Sequence, residues 1–129
     1  MRIEHLAIWV RDLEKMRSFY CDFFDLGSND LYHNPRKKFS SYFLSFPKGA
    51  RLELMHREEN ISDSGISHSD RIGLAHFAIS LGSQSDVLAY TAKAKKEGIK
   101  VVGEPRTTGD GYFESVIEDP EGNWIELTV

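Results

Sequence analysis

The chain has 129 residues, the usual size of one domain, with 40% hydrophobic residues, 28% charged residues and a formal net charge of −4. Its single cysteine, Cys21, excludes an internal disulfide and a metal site built from several thiolates. The acidic balance argues against a nucleic-acid-binding surface, and no apolar run approaches the about 20 residues that a membrane span needs.

The chain opens with a predicted strand and a predicted helix. Over residues 3–10, aliphatic residues alternate with others, so that His5 lies on the face opposite to the aliphatic side chains. Asp12 has the position of a helix N-cap, and large apolar residues then recur every three to four residues. We therefore predict a helix over residues 13–26, ended by Gly27 as its C-terminal cap.

Three further strands complete the first half of the chain. A Pro-Lys-Gly turn separates the last two of them, and in the final strand Glu53 stands between Leu52 and Leu54. Glu53 therefore faces away from the aliphatic side, as His5 does. The three strands are predicted at residues 31–33, 39–46 and 50–56, which makes residues 1–56 a β-α-β-β-β module.

Residues 57–72 are polar and aperiodic, and they are interpreted as a linker between two modules. The second module, residues 73–129, begins with a strand that contains His76, and Ser83 then has the position of a helix N-cap. The predicted elements are a strand over 74–81, a helix over 84–97, strands over 99–102 and 112–118 separated by a loop at 103–111, and a strand over 124–129.

The two modules are copies of one another. The stretch His5-Leu6-Ala7-Ile8 returns as His76-Phe77-Ala78-Ile79, and a Pro-x-Gly turn precedes both Glu53 and Glu126. Each copy thus carries a His near its start and a Glu near its end, both opposite to the aliphatic face. Two imidazoles and two carboxylates suit Zn, Ni, Co, Mn or Fe(II). The candidate metal ligands are His5, Glu53, His76 and Glu126.

Other residues that could carry chemistry have simpler interpretations. His33, His56 and His68 are interpreted as ordinary surface or loop histidines. The basic run at residues 36–38 is interpreted as a solvated turn, and Cys21 as a small packed side chain inside the first helix.

These features resemble the vicinal oxygen chelate superfamily, which includes glyoxalase I, fosfomycin-resistance and bleomycin-resistance proteins, extradiol dioxygenases and methylmalonyl-CoA epimerase. The resemblance rests on the two modules, the His that opens each, Phe19-Tyr20, and the ending from Asp119 to Glu126. It covers the chain except for residues 57–72. It implies a single α+β domain, residues 1–129, in which the two βαβββ modules form an eight-stranded, partly open barrel with one helix per module on its outer surface.

The ligand order resembles that of bacterial glyoxalase I, a lactoylglutathione lyase, in which His, Glu, His and Glu hold the metal. Dioxygenases and fosfomycin enzymes resemble this chain at three of these positions and do not need Glu53, and bleomycin-binding members lack the ligands. The resemblance therefore implies a lyase or isomerase that depends on a divalent metal and acts through an enediolate on a small α-oxo or hemithioacetal substrate. It further implies that Glu126, with Glu53 as its counterpart, moves the proton.

Two alternatives stay open: a fosfomycin-type transferase or metal-dependent epimerase, and a non-catalytic protein that binds a small molecule. Glutathione-dependent lyases of the glyoxalase I type carry an Arg four residues after the first His, where this chain has Trp9. The thiol of a substrate adduct is therefore left open.

The expected partners are a small-molecule substrate and a second copy of the chain, with no nucleic acid and no membrane. By resemblance to glyoxalase I, we predict a symmetric homodimer in which His5 and Glu53 of one chain face His76 and Glu126 of the other. The sequence from Met1 to His5 lacks the pattern of a signal peptide, which predicts a cytoplasmic protein.

Overall fold

A computed structural model describes residues 2–58, 73–109 and 111–129 of the chain. The chain divides into two compact units, residues 1–64 and 65–129. Most of the predicted linker, together with His68, lies outside the described residues. Neither of the two helices in the described part of the chain is long and apolar enough to cross a membrane.

Each unit contains one helix and one sheet. The first unit comprises β1 (His5–Trp9), α1 (Leu13–Phe24), β2 (Gly27–Ser28), β3 (Tyr32–Asn34), β4 (Phe39–Ser45) and β5 (Arg51–Arg57). The second comprises β6 (Phe77–Ser80), α2 (Gln84–Lys96), β7 (Val101–Thr107), β8 (Phe113–Glu118) and β9 (Trp124–Thr128).

The two sheets share one topology. The first has the order β1-β5-β4-β2, with β3 also paired to β4, and the second has the order β6-β9-β8-β7. In each sheet the first strand of the module runs parallel to the last, whereas the other neighbours are antiparallel. The α+β class and the duplicated strand-helix-strand order are therefore confirmed. The described residues form nine strands rather than eight, because residues 27 and 28 also pair with β4.

Helix α1 covers the aliphatic face of the first sheet. Asp12 caps its N-terminus by accepting a hydrogen bond from the backbone N–H of Lys15 at 3.0 Å. Met16 and Tyr20 on its inner face are fully buried, as are Leu44 and Leu54 on the sheet. The alternation in β1 and β5 thus buries one face of each strand against the helix and leaves the other for His5 and Glu53.

The prediction that Gly27 caps α1 is wrong. The helix ends at Phe24, and Asp25 takes the left-handed conformation with φ 56°. The backbone N–H of Leu26 then donates to the carbonyl of Cys21. Aspartate is tolerated in this conformation, so the chain turns before Gly27, which joins β2 instead.

Helix α2 packs on the second sheet around a small polar contact. Ser83 caps the helix, as expected, by accepting from the backbone N–H of Asp86 at 3.1 Å. Inside the unit, the buried hydroxyls of Thr91 and Ser115 lie 2.7 Å apart, and Thr91 also donates to the carbonyl of Val87. Both hydroxyls are thereby hydrogen-bonded, so their burial carries little cost.

The prediction of a loop at 103–111 is wrong over its first half. Strand β7 continues to Thr107 through Gly103 and Pro105, with register shifts on either side of Gly103 where it pairs with β8. Because β7 is at the edge of its sheet, Pro105 need not donate a hydrogen bond to a further strand. An irregular edge strand therefore accommodates residues that the sequence pattern assigns to a turn.

The turn between β8 and β9 is organised by Asp119, which is 4% exposed. Its Oδ1 accepts from the backbone N–H groups of Glu121 and Asn123, and its Oδ2 accepts from the side chain of Asn123. Since β9 begins at Trp124, directly after Asn123, this turn sets the position of the strand that carries Glu126.

Replacing Asp119 by Ala should lower the free energy of unfolding by about 2–3 kcal/mol, because it leaves two backbone donors of the turn without their acceptor. Asp119→Asn, which keeps an acceptor oxygen, should lose less. Urea denaturation followed by circular dichroism measures both. A loss below about 0.5 kcal/mol for Asp119→Ala, within the range of ordinary surface substitutions, would contradict this account of the turn.

Candidate metal centre

The first His-Glu pair is created by the parallel pairing of β1 with β5. In this register His5 stands opposite Arg51, and Ala7 stands opposite Glu53. His5 and Glu53 are thus diagonal neighbours on one face of the sheet, with the small Ala7 between them. The Nε2 atom of His5 lies 3.8 Å from Oε2 of Glu53.

The second pair arises in the same way from β6 and β9. Ala78 stands opposite Glu126, and His76 directly precedes the paired segment. The Nε2 atom of His76 lies 3.3 Å from Oε2 of Glu126. The duplication therefore reproduces the geometry of the first pair as well as its residues.

In both pairs the carboxylate is the more buried partner. The side chains of Glu53 and Glu126 are 14% and 18% exposed, whereas those of His5 and His76 are 40% and 46% exposed. A carboxylate removed from water needs a compensating positive charge or hydrogen bonds. Each pair thus joins a poorly hydrated anion to an imidazole nitrogen that remains open to a ligand.

The distances in both pairs are compatible with donors that share one ion. Two ligand atoms at about 2.1 Å from a metal, at an angle of roughly 90–110°, lie roughly 3.0–3.4 Å apart. The separation of 3.3 Å in the second pair is within this range, and that of 3.8 Å in the first is slightly longer. Within residues 2–58, 73–109 and 111–129, no group of three or more His, Cys, Asp and Glu side chains is placed to hold a metal. Each pair by itself therefore offers two ligands.

Neighbouring side chains hold the ring of His5. Its Nδ1 lies 2.6 Å from Oε2 of Glu4, and its edge packs on the ring of Phe43 at 5.4 Å between centroids. Arg51 donates to the other oxygen of Glu4 and lies over the same Phe43 ring at 4.2 Å. With Nδ1 engaged by Glu4, the Nε2 atom of His5 is the one directed at Glu53.

Glu4 was not among the candidates from sequence, although its position directly before His5 could have indicated it. A carboxylate on the second ring nitrogen is the usual way in which proteins orient a metal-binding histidine. The second copy has Ala75 at the equivalent position. Hydrogen bonds from His5 and then Arg51 lower the pKa of Glu4 from its ordinary value.

The two other described histidines, His33 and His56, lie in strands β3 and β5 and have contacts of their own. Nδ1 of His33 lies 2.9 Å from the hydroxyl of Ser40, and Nδ1 of His56 lies 3.0 Å from the carbonyl of Val10. Burial raises the pKa of the Cys21 thiol, which disfavours the reactive thiolate and agrees with a packing role.

Trp9 has a cationic neighbour from another strand. The guanidinium of Arg57 lies 5.3 Å from the centroid of the Trp9 ring. Arg57 is four residues after Glu53 and therefore on the same face of β5. Arg57 was not among the candidates from sequence, although its position four residues after Glu53, directly after the predicted strand, could have indicated that both side chains lie on one face.

Comparison with known proteins gives a family match over nearly the whole chain. The model of the Glyoxalase/Bleomycin resistance protein/Dioxygenase superfamily matches residues 2–127. The chain is 30% identical over 130 residues to a "Probable lactoylglutathione lyase" of Synechocystis, covering 98% of this chain and 94% of that protein. It is 29% identical over 127 residues to the uncharacterized protein YwbC of Bacillus subtilis, covering 98% and 95% of the two chains.

Solved structures show the same fold at low sequence identity. A glyoxalase/bleomycin resistance protein/dioxygenase domain from Frankia has a TM-score of 0.84 at 18% identity, covering 99% of this chain and 90% of that one. The trypanothione-dependent glyoxalase I of Leishmania major has a TM-score of 0.74 at 22% identity, covering 99% and 86%.

The lowered pKa of Glu4 is directly measurable. In the metal-free protein its carboxylate should titrate below 4.5, the ordinary value, because the donors His5 and Arg51 favour the charged form. The stability that this provides is present above the pKa of unfolded Glu and is lost as the pH falls through the folded value. Carbon-detected NMR titration of the side-chain carboxyl measures it.

Arg51→Gln should raise the pKa of Glu4 but leave part of the shift, because His5 is the larger cause. Lys48→Gln removes the same charge from the turn before β5 and should leave the pKa unchanged. A Glu4 that titrates at the ordinary value in the unsubstituted protein would contradict the contact with His5.

Proposed function

Because the chain belongs to the Glyoxalase/Bleomycin resistance protein/Dioxygenase superfamily, we propose that it is a divalent-metal-dependent lyase of the glyoxalase I type. The observation that carries the proposal is the pair of equivalent His-Glu arrangements, His5 with Glu53 and His76 with Glu126. A three-ligand member of the superfamily has no need of the first Glu, yet Glu53 here lies beside His5 on a half-buried face.

All four side chains are proposed to hold one ion. Two ligands are too few for a stable site in a protein, since divalent transition metals take four or more. Each pair presents the same two donors, an imidazole nitrogen and a carboxylate oxygen. We therefore expect the two pairs to bind one ion together, and neither pair to bind an ion alone. The mixture of imidazole and carboxylate suits Ni, Zn, Co, Mn or Fe.

The proposed substrate is an adduct between a thiol and an α-oxoaldehyde, as in the reaction that gives lactoylglutathione lyases their name. A divalent ion held by the four residues would act as a Lewis acid on substrate oxygens and so acidify the neighbouring C–H bond. Glu126 would take that proton and return it to the adjacent carbon, with Glu53 of the first module as its counterpart. The low exposure of both carboxylates, 14% and 18%, favours this role, since few water molecules compete there with the substrate.

Glu4 is proposed to support this arrangement from outside the ligand set. By engaging Nδ1 of His5 it fixes the ring orientation and leaves Nε2 for the ion. Arg51 and Phe43 restrict Glu4 and the ring in turn. The second pair has no equivalent acid before His76, so the first pair is expected to be the more rigid of the two.

Replacing any one of the four ligands by Ala should weaken Ni²⁺ or Zn²⁺ binding by at least tenfold, since one of a few direct metal bonds is lost. Isomerisation of the methylglyoxal–glutathione hemithioacetal should fall in parallel. Calorimetry with each ion measures binding, and absorbance at the wavelength of the thioester product measures turnover.

His33→Ala and His56→Ala serve as matched controls, because each removes an imidazole that contacts neither Glu53 nor Glu126. Both should keep metal affinity and turnover. If Glu53→Ala alone binds the ion as the original protein does, the ligand set has three members, and a dioxygenase or fosfomycin-type reaction gains support. If the unsubstituted protein binds no divalent ion, the proposed function is wrong.

We further propose that the protein acts as a homodimer with shared sites, in which His5 and Glu53 of one chain complete the site with His76 and Glu126 of the other. Two-fold symmetric dimers are the commonest closed assembly, and a shared site makes both copies of the module necessary in each active centre.

Co-expression of a Glu53→Ala chain with a Glu126→Ala chain tests the sharing of sites. In the mixed dimer, one site would receive both intact pairs and the other would receive both altered pairs. In mixed dimers selected through two different tags, about half of the original metal-binding sites should therefore return, whereas an unselected random mixture would give about a quarter. Metal content per chain measures this after purification through two different tags. A mixture as defective as its parents would show that each chain builds its own site.

A further inference from the structure

We propose that the first unit carries an anion-binding site, here called the basic pocket, for a phosphate group or a cluster of carboxylates. Four cationic side chains line it: Arg36, Lys37, Lys38 and Arg57. This inference goes beyond the proposed lyase activity and does not depend on a bound metal.

Local hydrogen bonds and strand register bring these four residues together. Asn34 and Phe39 pair across the β3–β4 hairpin, so residues 35–38 form its tight turn. The side chain and the carbonyl of Asn34 both accept from the backbone N–H of Lys37. In the neighbouring ladder Phe39 stands opposite Arg57, so the end of β5 lies directly beside the basic turn.

Arg57 supplies the strongest indication of a missing ligand. Its Nε is buried and has no hydrogen-bond partner among the described residues. Its guanidinium is held near the ring of Trp9, which restricts its orientation. A buried guanidinium N–H without an acceptor is costly, and an oxyanion is the acceptor that a guanidinium group suits best.

Among the described residues, the basic pocket carries more positive than negative charge. The only carboxylate that a described residue places at its rim is Glu58, whose Oε2 lies 3.9 Å from Nζ of Lys38, and both side chains are exposed. Among the described residues, no carboxylate pairs with the side chain of Arg36 or Lys37. The chain as a whole has a net charge of −4. A local concentration of positive charge on an acidic protein attracts anions selectively to that place.

The composition of the pocket indicates the class of ligand. Arginine binds planar or tetrahedral oxyanions through two N–H groups, and lysine contributes a mobile point charge. Four cations exceed what a single carboxylate requires, so the expected ligand carries two or more negative charges.

Arg57 lies on the same face of β5 as Glu53, about 13 Å away at 3.3 Å per residue. An elongated molecule of that length could contact both.

Titration of the metal-free protein with pyrophosphate and with tricarballylate tests the basic pocket. Calorimetry in a phosphate-free buffer of low ionic strength should detect binding of at least one probe. Arg57→Gln and Lys37→Gln should each weaken it by about tenfold, because each removes one charge-assisted contact. Arg57→Lys, which keeps the charge, should weaken it less than Arg57→Gln.

Lys48→Gln is the matched control, since Lys48 is an exposed lysine in the turn at the opposite end of the β4–β5 hairpin. It should leave the affinity within about twofold, because screened charges at that distance contribute little. Preference for pyrophosphate would identify a phosphate-bearing ligand, and preference for tricarballylate a carboxylate-bearing one. If neither probe binds, or if Lys48→Gln weakens binding as much as Arg57→Gln does, the basic pocket is not a site. Because the titration is performed without metal, failure of the lyase proposal would leave its result intact.

Discussion

The parallel pairing between the first and last strand of each module is the constraint on which the rest depends. It places Ala7 opposite Glu53 and Ala78 opposite Glu126, and so makes each His the diagonal neighbour of its Glu. A slip of one residue in either ladder would turn one partner to the aliphatic face. Parallel neighbours need a long connection, which the helix and the other strands of the module provide.

Burial of the opposite face holds that register in place. Leu52 and Leu54 on β5, and Ile125 and Leu127 on β9, are nearly inaccessible to solvent beneath their helices. A slip of one residue would expose these side chains and bury Glu53 or Glu126, at a cost of several kcal/mol in lost apolar burial alone. The same packing that stabilises each unit therefore also directs its candidate ligands to the free face of the sheet.

The two copies have diverged in what surrounds their pairs. Around His5, the side chains of Glu4, Arg51 and Phe43 form a connected set. In the second copy, polar contacts are found instead in the turn before β9, where the carboxylate of Asp119 accepts three hydrogen bonds. A further contact, between the hydroxyls of Thr91 and Ser115, lies between helix and sheet. One copy thus constrains its His directly, and the other constrains the strand that presents its Glu.

Local information in the sequence was sufficient for the duplication, the two helices and the strand faces on which His5, Glu53, His76 and Glu126 lie, because strand alternation and helix periodicity are properties of neighbouring residues. It failed where tertiary contacts decide. Asp25 ends α1 before Gly27, and β7 continues through Pro105 because it is the edge strand of its sheet in the described part of the chain. Only the register of β4 with β5 brings the turn at 36–38 beside Arg57, since that contact joins residues distant in sequence.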